Sequence, residues 1–427
     1  MCCGLSRIVI NGQNKLNGNV SISGAKNAAV AIIPAAIVCS DICVIENLPM
    51  IEDVNILSDA IKKIGARCEF KDNHTLIIDS RNINQCYADY DSIKKIRASY
   101  YLLGALLGRF RTAEVALPGG CDFGTRPIDQ HIKGFEALGA TVEISQGKIN
   151  AKANKLVGTS IYLDKVSVGA TINVMLASVL AEGTTIIENV AKEPHVVDIA
   201  NFLNTMGADI RGAGTNTIKV NGVKKLTGNA TYSVVPDQIE AGTFMLAAVA
   251  TKGDITINNC IPEHLDCLTA KLVEMGVSVE AFDESIRVRC DKRPNKATII
   301  TMPYPGFPTD LQPQIGVCLA LANGTSIINE GIWESRFQYT AELNKMGAHI
   351  TDQGKTAIFE GVEELYGAPV EATDLRAGAA LIIAGIVAHG ETSITNIYHI
   401  DRGYENIEEK FRKLGANIQR VVEEDIF

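Results

Sequence analysis

The chain has 427 residues, 46% of them hydrophobic and 21% charged, with 13 prolines; this provides for two or three domains or two large ones, and excludes long disordered stretches. A net charge of −9 and a pI near 5.4 exclude the basic footprint of a nucleic-acid-binding protein, while a few cations focused in a cleft still suffice for a small phosphate-bearing molecule. Eleven cysteines, without a CxxC pair or a zinc-spaced Cys/His set, and an opening MCCGLSRIVI without a secretory pattern predict a reducing, cytoplasmic setting, with Cys39, Cys43, Cys260 and Cys318 as small core residues.

In chain order, the first long apolar run is Asn27–Ile45. Ser40 and Asp41 interrupt it, so it reads as a buried helix, a short turn and a strand rather than a membrane span. An amphipathic stretch then closes on Ile64-Gly65-Ala66. The same phrase recurs at Leu138-Gly139-Ala140, Met206-Gly207-Ala208, Met275-Gly276-Val277, Met346-Gly347-Ala348 and Leu414-Gly415-Ala416, at a spacing of about 70 residues. Each glycine reads as a left-handed helix terminus leading into a strand. A second, nearly all-apolar helix is predicted ahead of each amphipathic one: Asn27–Cys39, Ala98–Leu107, Val168–Leu180, Ala241–Val249, Pro313–Leu321 and Arg376–Ala388. A helix without a polar face is a buried helix. Small turns and β-rich runs such as GTTIIENV and GTSIINEG follow these helices. The expected fold is therefore α/β: six repeated βαβ-type units in two domains of three, helices packed inside a shell of sheets and amphipathic helices.

Several residues in this frame carry chemistry. Lys26 and Asn27 open the first buried helix, where free N–H groups and a lysine suit an anion, although a lysine at a helix end also commonly just reaches solvent. Arg97 and Arg376 open equivalent helices, and Arg126, Arg336 and Arg402 precede amphipathic ones; arginine forks onto carboxylate and phosphate. Cys121 sits in PGGCDFGTRP, a glycine-rich loop with Arg126 close by and His131 a little further on. Nearby cations favour a thiolate, and spacing alone leaves catalysis beside an ordinary loop cysteine. Asp310, Asp374, Asp237 and Glu240 precede or open buried helices, where capping and proton transfer both fit. Ser167-Val168-Gly169 is a helix start suited to a diphosphate. HExxH, Walker and dinucleotide-glycine patterns are absent, so neither a metal nor a cofactor is expected.

The phrases LNGNVSISGAKNAA, LPGGCDFGTRPIDQH, LDKVSVGAT, FPTDLQPQ, ATDLRAGAA and YHIDRGYENIEEK resemble those of the UDP-N-acetylglucosamine 1-carboxyvinyltransferases, a family of enolpyruvyl transferases, from about Val9 to Val421. The resemblance implies an inside-out, barrel-like α/β fold. Its two domains, 24–234 and 1–23 with 235–427, would close over a cleft lined by Lys26, Arg97, Cys121, Asp310 and Arg402, with the N-terminal strand crossing to the C-terminal domain. It implies transfer of the enolpyruvyl group of phosphoenolpyruvate to the 3-hydroxyl of UDP-N-acetylglucosamine, the first committed step of peptidoglycan synthesis. Cys121 is implied as proton donor to the methylene carbon and site of a covalent adduct, and Asp310 as the base near the sugar hydroxyl. Lys26, Asn27, Arg126 and Arg402 are implied to hold phosphoenolpyruvate, and Arg97 to serve the substrate site. Arg126, Pro127, Ile128, Asp129 and Gln130, with Lys165, Ser167, Val168 and Gly169, are implied to hold the nucleotide, and Ile332 to lie near the uracil. Gln130 departs from the apolar residue expected there, a small departure if its contact is through the main chain. The implied partners are these two small molecules, with no nucleic acid and no membrane.

Three other readings compete. A 5-enolpyruvylshikimate-3-phosphate synthase runs the same chemistry on another acceptor, but that family lacks a cysteine in this loop. An RNA 3′-phosphate cyclase-like enzyme shares related units, against the acidic balance. A catalytically silent paralogue conflicts with the intact Cys121, Lys26, Asn27, Arg126, Asp310 and Arg402.

Overall fold

The structure, a computed structural model, describes residues 6–88, 99–116, 128–228 and 230–422. These divide into two compact units, one built from 6–23 and 236–422, the other from the residues between 24 and 235. Each unit has its own apolar core.

The repeat is plain in the fifth copy. Strand Thr298–Ile300 leads to the helix Gln312–Ala320, all nine residues of which are buried. Strand Thr325–Asn329 follows, alternating inward Ser326 and Ile328 with outward neighbours, as a half-buried strand must. The helix Gln338–Lys345 then runs into the hairpin His349–Gln353 and Thr356–Glu360. In the sheet, Thr298–Ile300 lies parallel to Thr325–Asn329, and Thr356–Glu360 separates the latter from His349–Gln353. Six four-stranded sheets of this kind occur among the described residues. Helices lie inside and sheets outside, as expected, but each sheet is an open layer, and no barrel closes among the described residues.

The six central helices are Lys26–Ala36, Tyr100–Phe110, Val168–Ser178, Gln238–Ala250, Gln312–Ala320 and Leu375–Val387. The Asn27–Ile45 run resolves into the first of them and the strand Ile42–Glu46. Among the described residues, no helix is long and apolar enough to cross a membrane. The six glycines of the recurring phrase all have positive φ, from +81° at Gly276 to +108° at Gly65, so each ends its amphipathic helix in a conformation that suits glycine. Elsewhere glycine permits close packing. A Cβ on Gly104 would stand 2.5 Å from the Asn173 carbonyl of the neighbouring central helix.

Three strands do not join the sheet of the repeat they precede. Asn17–Ser21 leads into the first central helix but pairs in parallel with Asp254–Asn258 of the fourth repeat. Ala230–Ser233 leads into the fourth central helix but pairs in parallel with Ile42–Glu46 of the first. Ser6–Asn11 completes the sixth repeat, with Val9 opposite both Ser393 and Gln419. Each of these strands pairs within its own unit, with a repeat distant from it in sequence.

The Ala230–Ser233 strand is anchored by Tyr232, whose hydroxyl lies 2.5 Å from Asp198 Oδ1, and Val235 N donates to Asp198 Oδ2 at 3.3 Å. Burial pushes the Asp198 carboxyl up to about 6, outweighing these hydrogen bonds. The folded state therefore holds this proton more tightly than the unfolded chain. Stability falls as pH rises from about 4 to about 6, and the cost is constant above that. Asp198→Asn can accept from Val235 and donate to Tyr232 without charge. It should raise stability at pH 8 by about 1–3 kcal/mol, the gain fading towards pH 4. Urea midpoints at the two pH values check this; a gain of equal size at both would show that the carboxyl is not the cause.

Candidate active site

In the unit formed between 24 and 235, Lys26 is the first residue of its helix, whose opening turn carries no acidic residue. Its Nζ lies 3.1 Å from the carboxylate of Asp53, which is buried, and the lysine side chain is only 13% exposed. The ion pair holds the ammonium at the helix start, and Asn27 beside it is half-buried.

Ser167 caps the Val168–Ser178 helix, its Oγ accepting from Ala170 N at 3.3 Å. The N–H groups of Val168 and Gly169 have no partner within that helix, as at any helix start. The loop ahead of it is pinned by Gln130. Its Oε1 accepts from Asp164 N at 2.8 Å, and its Nε2 donates to Asp129 at 2.9 Å and to Asp164 at 3.3 Å. The glutamine that departs from the expected apolar residue thus fastens the segment carrying Lys165, which is itself exposed. Ile128 is half-buried just ahead of the Asp129–Ala137 helix.

His131 is buried in that helix, with Asn173 Nδ2 at 3.0 Å from its Nδ1. Asn173 Oδ1 accepts from Gly104 N at 2.8 Å, so its amide presents N–H to the ring and His131 Nδ1 is the acceptor. Burial lowers the His131 pKa to about 4, so the ring is neutral near pH 7 and carries its proton on Nε2. That nitrogen would lie 3.0 Å from a Cβ at Gly169, so only glycine fits there without a shift. The helix start therefore has a side-chain N–H beside its backbone donors, a combination suited to an anion.

In the other unit, Asp310 lies in the short turn Thr309–Leu311 and caps no helix. Its carboxylate takes Arg336 Nη2 at 3.0 Å on one oxygen and Arg376 Nη2 at 3.2 Å on the other. Both arginines are buried, at 4% and 3% exposure, while the Asp310 side chain is 28% exposed. Two guanidinium groups that the sequence offered as anion ligands thus frame one reachable carboxylate within the protein. Asp374 and Asp237 are helix caps: Asp374 accepts from Arg376 N and Ala377 N, and Asp237 from Ile239 N and Glu240 N. Glu240 is buried, its carboxyl pushed up by burial against the pull of Lys410, whose Nζ lies 2.6 Å away. Arg402 follows the short Tyr398–Asp401 helix and is half-buried.

Glu330 was not legible as a site residue. It is buried and accepts from Thr301 at 2.7 Å, Thr309 at 2.9 Å and the backbone N–H groups of Ile332 and Trp333. It thereby fixes the Ile332 segment beside the Asp310 turn. The only sequence signal was an acidic residue ending the apolar strand TSIINEG. Arg97, Cys121, Arg126 and Pro127 lie outside the described residues. Among the described residues, no group of three or more His, Cys, Asp or Glu side chains is placed to hold a metal ion.

The family model described as EPSP synthase (3-phosphoshikimate 1-carboxyvinyltransferase) matches residues 10–411. The chain belongs to the enolpyruvyl transferase family. It is 59% identical over 98% of its length to the whole of a UDP-N-acetylglucosamine 1-carboxyvinyltransferase of Clostridium botulinum. It is 50% identical, over 99% of both chains, to UDP-N-acetylglucosamine 1-carboxyvinyltransferase 2 of Bacillus subtilis. Among solved structures, the enolpyruvyl transferase NikO of Streptomyces tendae superposes with a TM-score of 0.89 at 26% identity, covering 99% of this chain and all of that one. An EPSP synthase of Acinetobacter baumannii shares the fold alone, with a TM-score of 0.76 at 20% identity over 98% of this chain and all of that one. An enolpyruvyl transferase must hold anionic groups and move protons on and off carbon and oxygen. Within one unit the described residues supply helix starts suited to an anion, at Lys26 and Val168; within the other they supply the framed Asp310 carboxylate.

Proposed function

We propose that this enzyme transfers the enolpyruvyl group of phosphoenolpyruvate to the 3-hydroxyl of UDP-N-acetylglucosamine, releasing phosphate, as the first committed step of peptidoglycan synthesis in the cytoplasm. The supporting observation is 59% identity, over 98% of this chain, to the whole of a relative with that activity in its name. EPSP synthases, the runner-up, share only 19–20% identity in the solved structures.

The vinyl carbon of phosphoenolpyruvate resists direct displacement, so the acceptor oxygen adds first and phosphate leaves second. Asp310 takes the proton from the 3-hydroxyl as its oxygen bonds to that carbon, and Cys121 gives a proton to the methylene carbon. Loss of phosphate and of a proton from the same methylene carbon then restores the double bond. A carboxylate is a weak base for an alcohol, so its fixed placement between Arg336 and Arg376 supplies much of the benefit. Lys26, Asn27, Arg126 and Arg402 hold phosphoenolpyruvate, with Arg97 at the substrate site. Ser167, Val168 and Gly169 receive the diphosphate, flanked by Lys165 and the 126–130 segment, and Ile332 meets the uracil. Cations and backbone N–H groups carry the developing charge.

Phosphate release tests the acceptor. Turnover with UDP-N-acetylglucosamine should exceed that with shikimate 3-phosphate by at least about a thousandfold, because a site built for one set of polar groups leaves them unpaired with the other. Equal rates, or turnover only with shikimate 3-phosphate, would overturn the assignment.

A further inference from the structure

We propose that Tyr404 is a positioning residue for this reaction: it seats the Arg376 guanidinium and, through it, orients the Asp310 carboxylate. The inference rests on the reading of Asp310 as the base.

Arg376 reaches Asp310 Oδ2 through two long bonds, 3.2 Å from Nη2 and 3.4 Å from Nε. Charge-assisted bonds of this kind are normally nearer 2.8 Å, so they do not by themselves fix the fork. What lies against the guanidinium is the Tyr404 ring, with its centroid 5.3 Å from Arg376 Cζ. Tyr404 is 3% exposed and belongs to the quoted phrase YHIDRGYENIEEK, where sequence gave it no role.

The Tyr404 hydroxyl is locked by two other central helices, and proton counting fixes the direction of every bond. Thr243 Oγ1 donates its one proton to Ile239 O at 2.7 Å. It must therefore accept from Tyr404, 2.9 Å away, and from the Gln314 side chain, 3.2 Å away. Gln314 thus presents its Nε2, which also donates to the Tyr404 oxygen at 3.1 Å. A flipped amide would set its oxygen against Thr243 Oγ1 with no proton between them. The Tyr404 proton points to Thr243, and its oxygen receives Gln314. These three side chains carry no charge. One helix from each repeat of this unit takes part, through Thr243, Gln314 and Arg376.

Tyr404→Phe keeps the ring and removes the lock, and Thr243→Val removes the acceptor with little change of shape. Each should lower kcat about tenfold while KM for both substrates stays within about threefold. In an Asp310→Asn background the further loss should shrink to less than about twofold, because residues acting through one another are not additive. A full tenfold loss persisting in that background would overturn the proposal, as would unchanged kcat in both single variants. Should Tyr404→Phe fail to fold, as judged by its unfolding curve, Thr243→Val carries the same test. An Asp310→Asn enzyme with normal turnover would instead remove the underlying reading of Asp310, and that result shows in the single variant alone.

Discussion

Asp310→Asn should lower turnover by about two to four orders of magnitude and leave affinity for UDP-N-acetylglucosamine within about threefold. The amide keeps the shape of the carboxylate and an oxygen for one guanidinium, but it cannot accept the hydroxyl proton, and a positioned base contributes about 10²–10⁴. Arg336 and Arg376 are buried and would share one neutral partner, so some stability is also lost, up to about 3 kcal/mol. Phosphate release, calorimetric titration with the sugar nucleotide and an unfolding curve separate these effects. Collapsed binding with normal residual turnover would make Asp310 a structural anchor.

Cys121→Ala should likewise lose about two to three orders of magnitude in turnover, through loss of the proton donor. Cys121→Asp keeps a proton donor without a sulfur nucleophile, so it should retain partial turnover. It should also escape fosfomycin, an epoxide phosphonate whose anion would dock where phosphoenolpyruvate does and bring the epoxide to the thiol. The other ten cysteines are internal controls. Burial raises the Cys68 thiol to about 12 and that of Cys260 to about 11, and also raises those of Cys86, Cys267, Cys290 and Cys318, so few thiolates are available at these six near pH 7; Cys39, whose thiol is shifted down by its bond with Cys43, is shielded instead by complete burial. Mass mapping after treatment should find the adduct on Cys121 alone. Equal inactivation with the label on another cysteine, or undiminished sensitivity of Cys121→Asp, would displace Cys121 as the reactive centre.

The repeat was legible because two local signals coincide in every copy. An all-apolar helix has to be buried, and a glycine after an amphipathic helix marks its terminus; all six such glycines are left-handed. The resemblance implied the crossing of the N-terminal strand, but the partner of Ala230–Ser233 was less legible. Nothing in ATYS distinguishes a strand that joins the next repeat from one that joins the first, since both pairings present the same alternation. Asp310 was proposed on resemblance, and its frame of two arginines was not foreseen. Arginines at helix entries look alike in sequence whether they face a ligand or a carboxylate within the protein. Glu330 and Tyr404 act through distant partners, 29 residues away at Thr301 and 161 at Thr243, which no local pattern encodes.

The strand pairings also set an order of assembly during synthesis. Ser6–Asn11 and Asn17–Ser21 leave the ribosome well before the strands they pair with, Asp254–Asn258, Glu391–Thr395 and Asn417–Val422. The unit between 24 and 235 is complete once Ala230–Ser233 has emerged, while Ile8, Val9 and Ile10 remain without the neighbours that bury them. At roughly 5–20 residues per second, translation leaves this apolar leading strand waiting for about 10–40 s after the first unit is whole. An unpaired apolar strand is a template for wrong partners, so the nascent chain is exposed to misassembly through Ser6–Asn11 until its own partners emerge.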